Sequence, residues 1–218
     1  MLKRELLEEL QDVCELMTRD YHLQTGKKHI RFSVLQILQE KYPEINLKTD
    51  LVRQTAQIYD EYQGNEAYVH IPDMPQTLRN LVSYPVLGAF DMEKGELEGV
   101  VTIKYHENTS EKETDPYYPK PNVKFFSITG IIVRQRQDMV NRGIGSNLYG
   151  ACILGIQRYA SKHPEEKLEL SLVIDCTNLP SLYALMNGNE KIAACGYLGK
   201  EQKLLAILDG IYTVRDAE

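Results

Sequence analysis

The sequence predicts an α/β (α+β) protein with a mixed sheet, and three observations support this class. Apolar residues recur every three or four positions near the start of the chain, as in amphipathic helices. Further along, short strand-like runs alternate with helical runs, and hairpin signals stand near both ends of that part. We therefore expect a helical N-terminal extension over residues 1–64 and a main domain over residues 65–218.

Composition excludes several classes of protein. Hydrophobic residues make up 43% of the 218 residues, which is enough to fill a core and excludes a wholly disordered chain. No run approaches the roughly 18 consecutive apolar residues of a membrane span, and the first residues lack the apolar stretch of a signal peptide. The net charge of −6 argues against non-specific binding to nucleic acid. We expect a cytoplasmic protein with neither membrane nor nucleic-acid partners.

The four cysteines stand far apart and form no Cys-x-x-Cys pair. That spacing is unlike a structural zinc site or a disulfide framework, so no metal is expected. Cys152 and Cys176 stand in apolar helix and strand patterns, and we interpret them as core residues rather than nucleophiles.

The N-terminal extension is predicted to contain three helices. Leu2, Leu6, Leu10, Val13 and Met17 form the apolar stripe of the first. The second is predicted over Ser33–Tyr42, with Ser33 as N-cap, and the third over Leu47–Tyr62. Such stripes pack on the main domain or on a second subunit, so a homodimer is among the expectations.

The main domain is predicted to alternate strands and helices. In chain order, the expected elements are a helix at Met74–Val82, a hairpin of Pro85–Phe90 and Leu97–Tyr105, a strand at Lys124–Val133, a helix at Gly143–Lys162, a strand at Leu168–Ile174, a short helix from about Pro180 capped by Asn178, and a hairpin of Lys203–Leu208 and Ile211–Val214. The polar segment His106–Asn122, with Tyr117 and Tyr118, is long enough for a lid over a substrate site.

The most informative stretch runs from a strand through a loop into Gly143-Ile-Gly-Ser146 at a helix start. Backbone N–H groups at a helix N-terminus bind anions, and glycines let a phosphate approach the backbone closely. A Walker loop is excluded because no Gly-Lys-Ser/Thr tripeptide is present. The dinucleotide fingerprint fits poorly, because Leu148 occupies the position of its third glycine.

The order of strand, loop, Arg142-Gly-Ile-Gly-Ser146, helix and strand, followed by Asn178 and a late Gly196-Tyr197, resembles the GNAT superfamily of acyl-CoA-dependent N-acetyltransferases. The resemblance spans residues 66–214, about two thirds of the chain. It implies a GNAT-like mixed, mostly antiparallel twisted sheet flanked by helices. It also implies an enzyme that moves an acetyl group from acetyl-CoA to a primary amine of a small molecule or peptide.

The resemblance further implies a set of site residues. The pyrophosphate of coenzyme A would bind at the loop and helix start formed by Asn141, Arg142, Gly143, Ile144, Gly145 and Ser146. The pantetheine arm would lie like an extra strand beside Ile131, Ile132 and Val133. Asn178 would line the other side, and Tyr183 would act as the general acid.

Three questions stay open at the level of sequence: the general base, the acceptor and whether the protein is an enzyme. The strand from Val123 to Val133 carries no carboxylate, so the general base is His106, Asp91, Asp175 or a bound water. The acceptor could be a polyamine, an aminoglycoside, an amino acid or a protein N-terminus. The alternative function is a non-catalytic acyl-CoA-binding or interaction module on the same fold.

Overall fold

The computed structural model describes residues 4–44, 46–62, 74–107, 124–134, 143–166, 168–175, 184–185, 192–198 and 203–208. The helices are α1 (Arg4–Thr25), α2 (Leu35–Lys41), α3 (Leu47–Tyr62), α4 (Met74–Ser83) and α5 (Ile144–Lys162). The strands are β1 (Ile30–Val34), β2 (Val86–Asp91), β3 (Glu96–Glu107), β4 (Lys124–Val133), β5 (Leu168–Asp175), β6 (Ile192–Leu198) and β7 (Lys203–Leu208). Within these ranges no helix combines the length and apolarity needed to cross a membrane.

The strands form one sheet in the order β1-β2-β3-β4-β5-β7-β6. Neighbouring strands are antiparallel except β4 and β5, which run parallel. A parallel pair needs a long crossover connection, and α5 lies in the segment that joins these two strands. The prediction of a mixed, mostly antiparallel sheet flanked by helices is confirmed.

Two apolar clusters hold helices against opposite faces of the sheet. On one face α1 and α5 pack over the strands, with Leu10, Leu148 and Ile156 fully buried. On the other face α2, α3 and α4 pack against the sheet through Leu51 and Ile58, among others. The N-terminal segment therefore contributes to both cores.

Helices α1 and α5 approach each other closely at Gly155. A Cβ atom at this position would lie only 2.6 Å from Cδ2 and 3.1 Å from Cα of Leu10, so a glycine is needed for this approach. Beside this contact the Nζ of Lys162 pairs with the carboxylate of Glu9. Helix α1 is thus fixed on α5.

Side chains of α1 cover the outer edge of β1. The backbone N–H of Phe32 donates to Oγ1 of Thr18 at 2.9 Å, and that of Val34 donates to Oε1 of Gln11 at 2.9 Å. The Nε2 of His22 lies 2.6 Å from the carbonyl oxygen of Ile30. These contacts replace the strand partner that an edge strand lacks.

The prediction of a helix over Ser33–Tyr42 capped by Ser33 is wrong at its start. Ser33 lies in β1 opposite Gly88 of β2, and α2 begins only at Leu35. The N-cap residue is Val34, which makes no side-chain capping bond, while the Ser33 hydroxyl donates to Gln11. Pairing with β2 therefore outweighs the local capping preference.

Only the first strand of the predicted C-terminal hairpin, Lys203–Leu208, lies within the described ranges, as β7. It pairs with β6 on one side and with β5 on the other. Residues 209–218 lie outside the described ranges, and β6 was not predicted. The first helix is confirmed, but α1 continues to Thr25, beyond the predicted stripe that ends at Met17. The other helix and strand predictions at described positions are confirmed within one or two residues, including the β2–β3 hairpin with Gly95 at a φ of 67°.

Candidate functional site

The candidate site lies where β4 and β5 part. The parallel ladder pairs Lys124 with Leu168 and continues to Ile128 with Leu172, where it ends. Both strands run on, β4 to Val133 and β5 to Asp175, so the sheet opens between them. We call this place the β4–β5 opening. An extended ligand could add there as a strand, with backbone groups as its partners.

A bulge in β4 lies at the same level. Val100 of β3 is paired with Ile132 and Thr102 with Thr129, so two residues of β4, Gly130 and Ile131, stand opposite one residue of β3. A bulge of this kind turns backbone groups away from the regular ladder. The signal that could have predicted it is the isolated glycine within a strand pattern.

The first turn of α5 borders the β4–β5 opening. A Cβ atom at Gly145 would lie 3.6 Å from Cγ2 of Val133, 3.3 Å from Cβ of Ala184 and 4.0 Å from Cδ1 of Ile131. Glycine at 145 therefore allows the helix start to approach the end of β4. Ile131, Val133 and Gly145, which the sequence analysis assigns to one coenzyme site, therefore lie close to one another.

The N-cap of α5 is Gly143, with a left-handed φ of 74° that favours glycine. It makes no side-chain capping bond, and the first turn carries no acidic residue. The first N–H groups of a helix have no partner within it, and they form the positive end of its dipole. Among the predicted residues, Ile144 is buried, while Ser146 is partly exposed on this turn. The helix start is thus suited to an anion.

Four predicted site residues lie outside the described ranges: Asn141, Arg142, Asn178 and Tyr183. Most of the predicted lid, residues 108–122, also lies outside them, as does the predicted short helix except for residues 184–185. Leu185 is 1% exposed in the α5-side core, and its neighbour Ala184 contacts the α5 start. Ile132 is buried in the cluster on the opposite face from α5.

The candidate bases occupy different parts of the sheet. Asp91 is 1% exposed at the β2–β3 turn, where its Oδ1 accepts the N–H groups of Glu93 and Lys94. This is the role of a turn residue. His106 is paired with Phe125 near the far end of β3, whereas Asp175 ends β5 beyond its last pair with β4.

The buried thiols behave as the sequence predicted for Cys152. Cys14 on α1 and Cys152 on α5 are both fully buried. Burial raises the pKa of the Cys14 thiol and, with a further contribution from the nearby Cys14, that of the Cys152 thiol. Both are therefore neutral core residues at physiological pH. Cys176 lies outside the described ranges.

Sequence reasoning missed Arg134, the residue that follows β4. Its side chain is 5% exposed, and its backbone N–H donates to the carbonyl oxygen of Glu98 at 2.8 Å. Its guanidinium lies 3.7 Å from Glu61 on α3 and 3.5 Å from Glu96 on β3. An arginine next to an apolar strand gives no sequence signal of burial, because its ion partners are distant in the chain.

No protein-family model matches the sequence, and no curated protein does. Several solved structures resemble the fold. The NatC complex bound to Gag peptide and CoA has a chain that is 14% identical with a TM-score of 0.49, and the match covers 82% of this chain and 96% of that one. NAA60 of Arabidopsis thaliana in complex with acetyl-CoA is 16% identical with a TM-score of 0.46, covering 82% and 96%. A GNAT-family acetyltransferase from Bacillus anthracis is 12% identical with a TM-score of 0.39, covering 74% and 87%. At these identities the similarity concerns the fold alone.

Proposed function

We propose that this protein is an N-acetyltransferase that transfers the acetyl group of acetyl-CoA to a primary amine. One observation carries the proposal: the β4–β5 opening meets a glycine-bearing helix start. A strand edge suits the amide-rich pantetheine arm, and the helix N-terminus suits the pyrophosphate. Few ligands combine an extended diamide with a diphosphate, and coenzyme A is one of them.

In this proposal the coenzyme follows the edge of β4. The pantetheine amides pair with the backbone of Ile131–Val133, with Asn178 on the other side. The pyrophosphate receives the N–H groups of Ile144, Gly145 and Ser146. Arg142 and Asn141 supply side-chain donors beside it. The contacts of Gly145 with Val133 and Ala184 support this arrangement, since they bring the two ends of the binding surface together.

The proposed reaction is direct attack of a neutral amine on the thioester carbonyl. The C–N bond forms, and the resulting oxyanion accepts a backbone N–H at the β4 bulge. When the intermediate collapses, the C–S bond breaks and the thiolate takes a proton, for which Tyr183 is the proposed donor. The amine nitrogen loses a proton to a base or to a water.

We favour Asp175 as that base because of its place on β5. Leu172 and Ile128 form the last pair of the β4–β5 ladder, and Asp175 follows three residues further along β5, at the β4–β5 opening. Asp91 is held in its turn by two backbone N–H groups, and it stands opposite Glu96 rather than near the bulge. The carboxylate at Asp175 would act directly or through a water.

Coenzyme A binding is tested with Gly145→Asp. The side chain would meet Val133 and Ala184, and its charge would oppose the pyrophosphate, so binding should weaken by more than tenfold, or about 1.4 kcal/mol. Isothermal titration calorimetry with coenzyme A measures the change. Gly150→Ala on the same helix is the matched control, because a Cβ there meets only Met17 at an ordinary distance of 3.7 Å. Unchanged affinity in a folded Gly145→Asp protein would refute this site.

Catalysis is tested separately from binding. Thioester consumption with a panel of amines distinguishes an enzyme from the alternative, an acyl-CoA-binding module that lacks turnover. Tyr183→Phe keeps the ring and removes only the hydroxyl, so as general acid it should lose on the order of 10²-fold in kcat with coenzyme A affinity unchanged. Full turnover in a stable variant removes Tyr183 from the mechanism.

In keeping with the sequence, we place the protein in the cytoplasm with a small-molecule or peptide amine as acceptor.

A further inference from the structure

A second, polar cavity lies on the face of the sheet that carries α3. It measures about 590 Å³ and is formed by α3, the β2–β3 turn and the residue after β4. We call it the α3 pocket. The residues that line it and carry charge are Arg53, Glu61, Lys94, Glu96 and Arg134.

The α3 pocket is separate from the β4–β5 opening. Helix α3 packs on the sheet through Leu51 and Ile58, in the cluster that contains Ile132. The α5 start lies against the opposite face, where Gly145 approaches Ile131 and Val133. The sheet therefore stands between the two sites, and a ligand in the α3 pocket is not the coenzyme.

Arg134 gives the pocket an unusual feature. It is 5% exposed, and its Nε has no hydrogen-bond acceptor among the described residues. The carboxylate of Glu61 lies 3.7 Å from this Nε, beyond hydrogen-bond distance, and that of Glu96 lies 3.5 Å from Nη1, so the two carboxylates compensate the charge of Arg134. A buried donor of this kind is costly to leave unmet, and an oxygen of a bound molecule can meet it.

The charges in the pocket select the class of ligand. Arg134 and Lys94 favour an anionic group, whereas Glu61 and Glu96 favour a cationic one. A ligand with a single charge would face like-charged groups on part of the wall. We propose that the α3 pocket binds a zwitterionic α-amino acid, with its carboxylate on Arg134 and its ammonium group between Glu61 and Glu96. The fork of the guanidinium matches a carboxylate, and the volume admits any side chain.

The first test uses the twenty L-amino acids as probes in calorimetry with the full chain. At least one should bind with a Kd below about 10 mM. For each binder, the deamino acid and the decarboxylated amine are the matched probes, and both should bind at least tenfold more weakly. If no amino acid binds, or if a singly charged analogue binds as well, the proposal is wrong.

The second test locates the site with Glu61→Gln, whose side chain is 42% exposed so that the substitution preserves the fold. Without this charge the ammonium group loses one of its two proposed carboxylate partners, and Arg134 loses one neighbouring carboxylate. The preference for the amino acid over its deamino analogue should therefore fall at least tenfold. Asp60→Asn, at the preceding residue of α3, removes the same charge outside the pocket and should leave the preference unchanged. Equal effects of the two variants would overturn the proposal.

Failure here is distinguishable from failure of the proposed acetyltransferase function. Gly145→Asp should weaken coenzyme A binding by more than tenfold while leaving the affinity for the amino acid unchanged, because the two sites lie on opposite faces. A loss of both affinities in the folded variant would place the amino acid in the β4–β5 opening and refute the α3 pocket.

Discussion

Two strand edges in the described part of the chain, the outer edge of β1 and the edge of β4 beyond Ile128, have different surroundings. The outer edge of β1 is covered by α1, whose Gln11, Thr18 and His22 contact successive backbone groups of the strand. The edge of β4 beyond Ile128 is bordered instead by the α5 start, with glycines at 143 and 145. Side chains therefore contact the backbone of the first edge, whereas a helix start with glycines lies beside the second.

The difference follows from side-chain length. Gln11, Thr18 and His22 are spaced seven and four residues apart, so they lie on one stripe of α1 and reach the strand. Glycines carry no side chain, so the α5 start cannot fill the space beside β4. An uncovered edge is a pairing hazard unless a ligand or another strand uses it. Among the described residues, side chains of α1 thus cover the edge of β1, whereas glycines border the edge of β4 that we propose binds coenzyme A.

The largest effect is expected when the side chains of α1 that contact the outer edge of β1 are removed. The double variant Gln11→Leu/Thr18→Val removes the acceptors of two buried N–H groups, those of Phe32 and Val34. Each unmet donor costs about 1–3 kcal/mol, so we expect a loss of roughly 2–6 kcal/mol in the free energy of unfolding. Urea denaturation measures it, and light scattering should reveal association through the exposed edge.

The control for this double variant is Asp12→Leu/Arg19→Val, at neighbouring exposed positions of α1. These changes add similar apolar groups without touching β1 and should alter stability by only about 0.5 kcal/mol each. A comparable loss of unfolding free energy in both double variants would mean that Gln11 and Thr18 do not stabilise the edge of β1.

An intermediate effect is expected where α1 is anchored on α5. Gly155→Ala forces a Cβ to within 2.6 Å of Leu10, which should cost about 1–3 kcal/mol despite the better helix propensity of alanine. Gly150→Ala, one turn and a half earlier on the same helix, meets Met17 at 3.7 Å and should be neutral or gain up to about 1 kcal/mol. Thermal and urea unfolding compare them. Equal stabilisation by both would contradict the close approach.

The smallest effect is the change in the free energy of unfolding at alkaline pH that comes from Cys14 on α1 and Cys152 on α5. The pKa of Cys14 and of Cys152 is raised by burial above the ordinary value of 9.0, so the unfolded chain loses these protons at lower pH than the folded one. Their contribution is complete below about pH 8 and declines as the pH rises above 9, by up to about 1.4 kcal/mol per pH unit for each thiol. At pH 9 the loss should be under about 1 kcal/mol.

Urea unfolding between pH 8 and 10 measures this decline, with Cys152→Ala as the comparison because it should show a shallower slope.

At pH 8 both thiols should resist a thiol reagent in the native protein and react in the Gln11→Leu/Thr18→Val variant, where α1 is loosened. Rapid labelling of the native protein at Cys14 or Cys152 would contradict their burial.

Local patterns in the sequence determined most of the elements. The apolar stripe of α1, the turn at Gly95 and the alternating β5 are features of neighbouring residues, and the structure contains each of them. The helix start at Gly143–Ser146 was also readable, because glycines before an amphipathic run mark a helix N-terminus open to an anion. The function class rests on this motif.

Only the tertiary structure decided the rest. Ser33 has the local character of a helix cap, yet it lies in β1 because Gly88, more than fifty residues away, offers a strand to pair with. Strand β6, the parting of β4 from β5 and the burial of Arg134 between Glu61 and Glu96 likewise depend on distant partners. Turns and helix stripes are local interactions that a sequence displays directly. Strand pairing and buried ion pairs join residues far apart in the chain, and a single sequence does not show which distant residues meet.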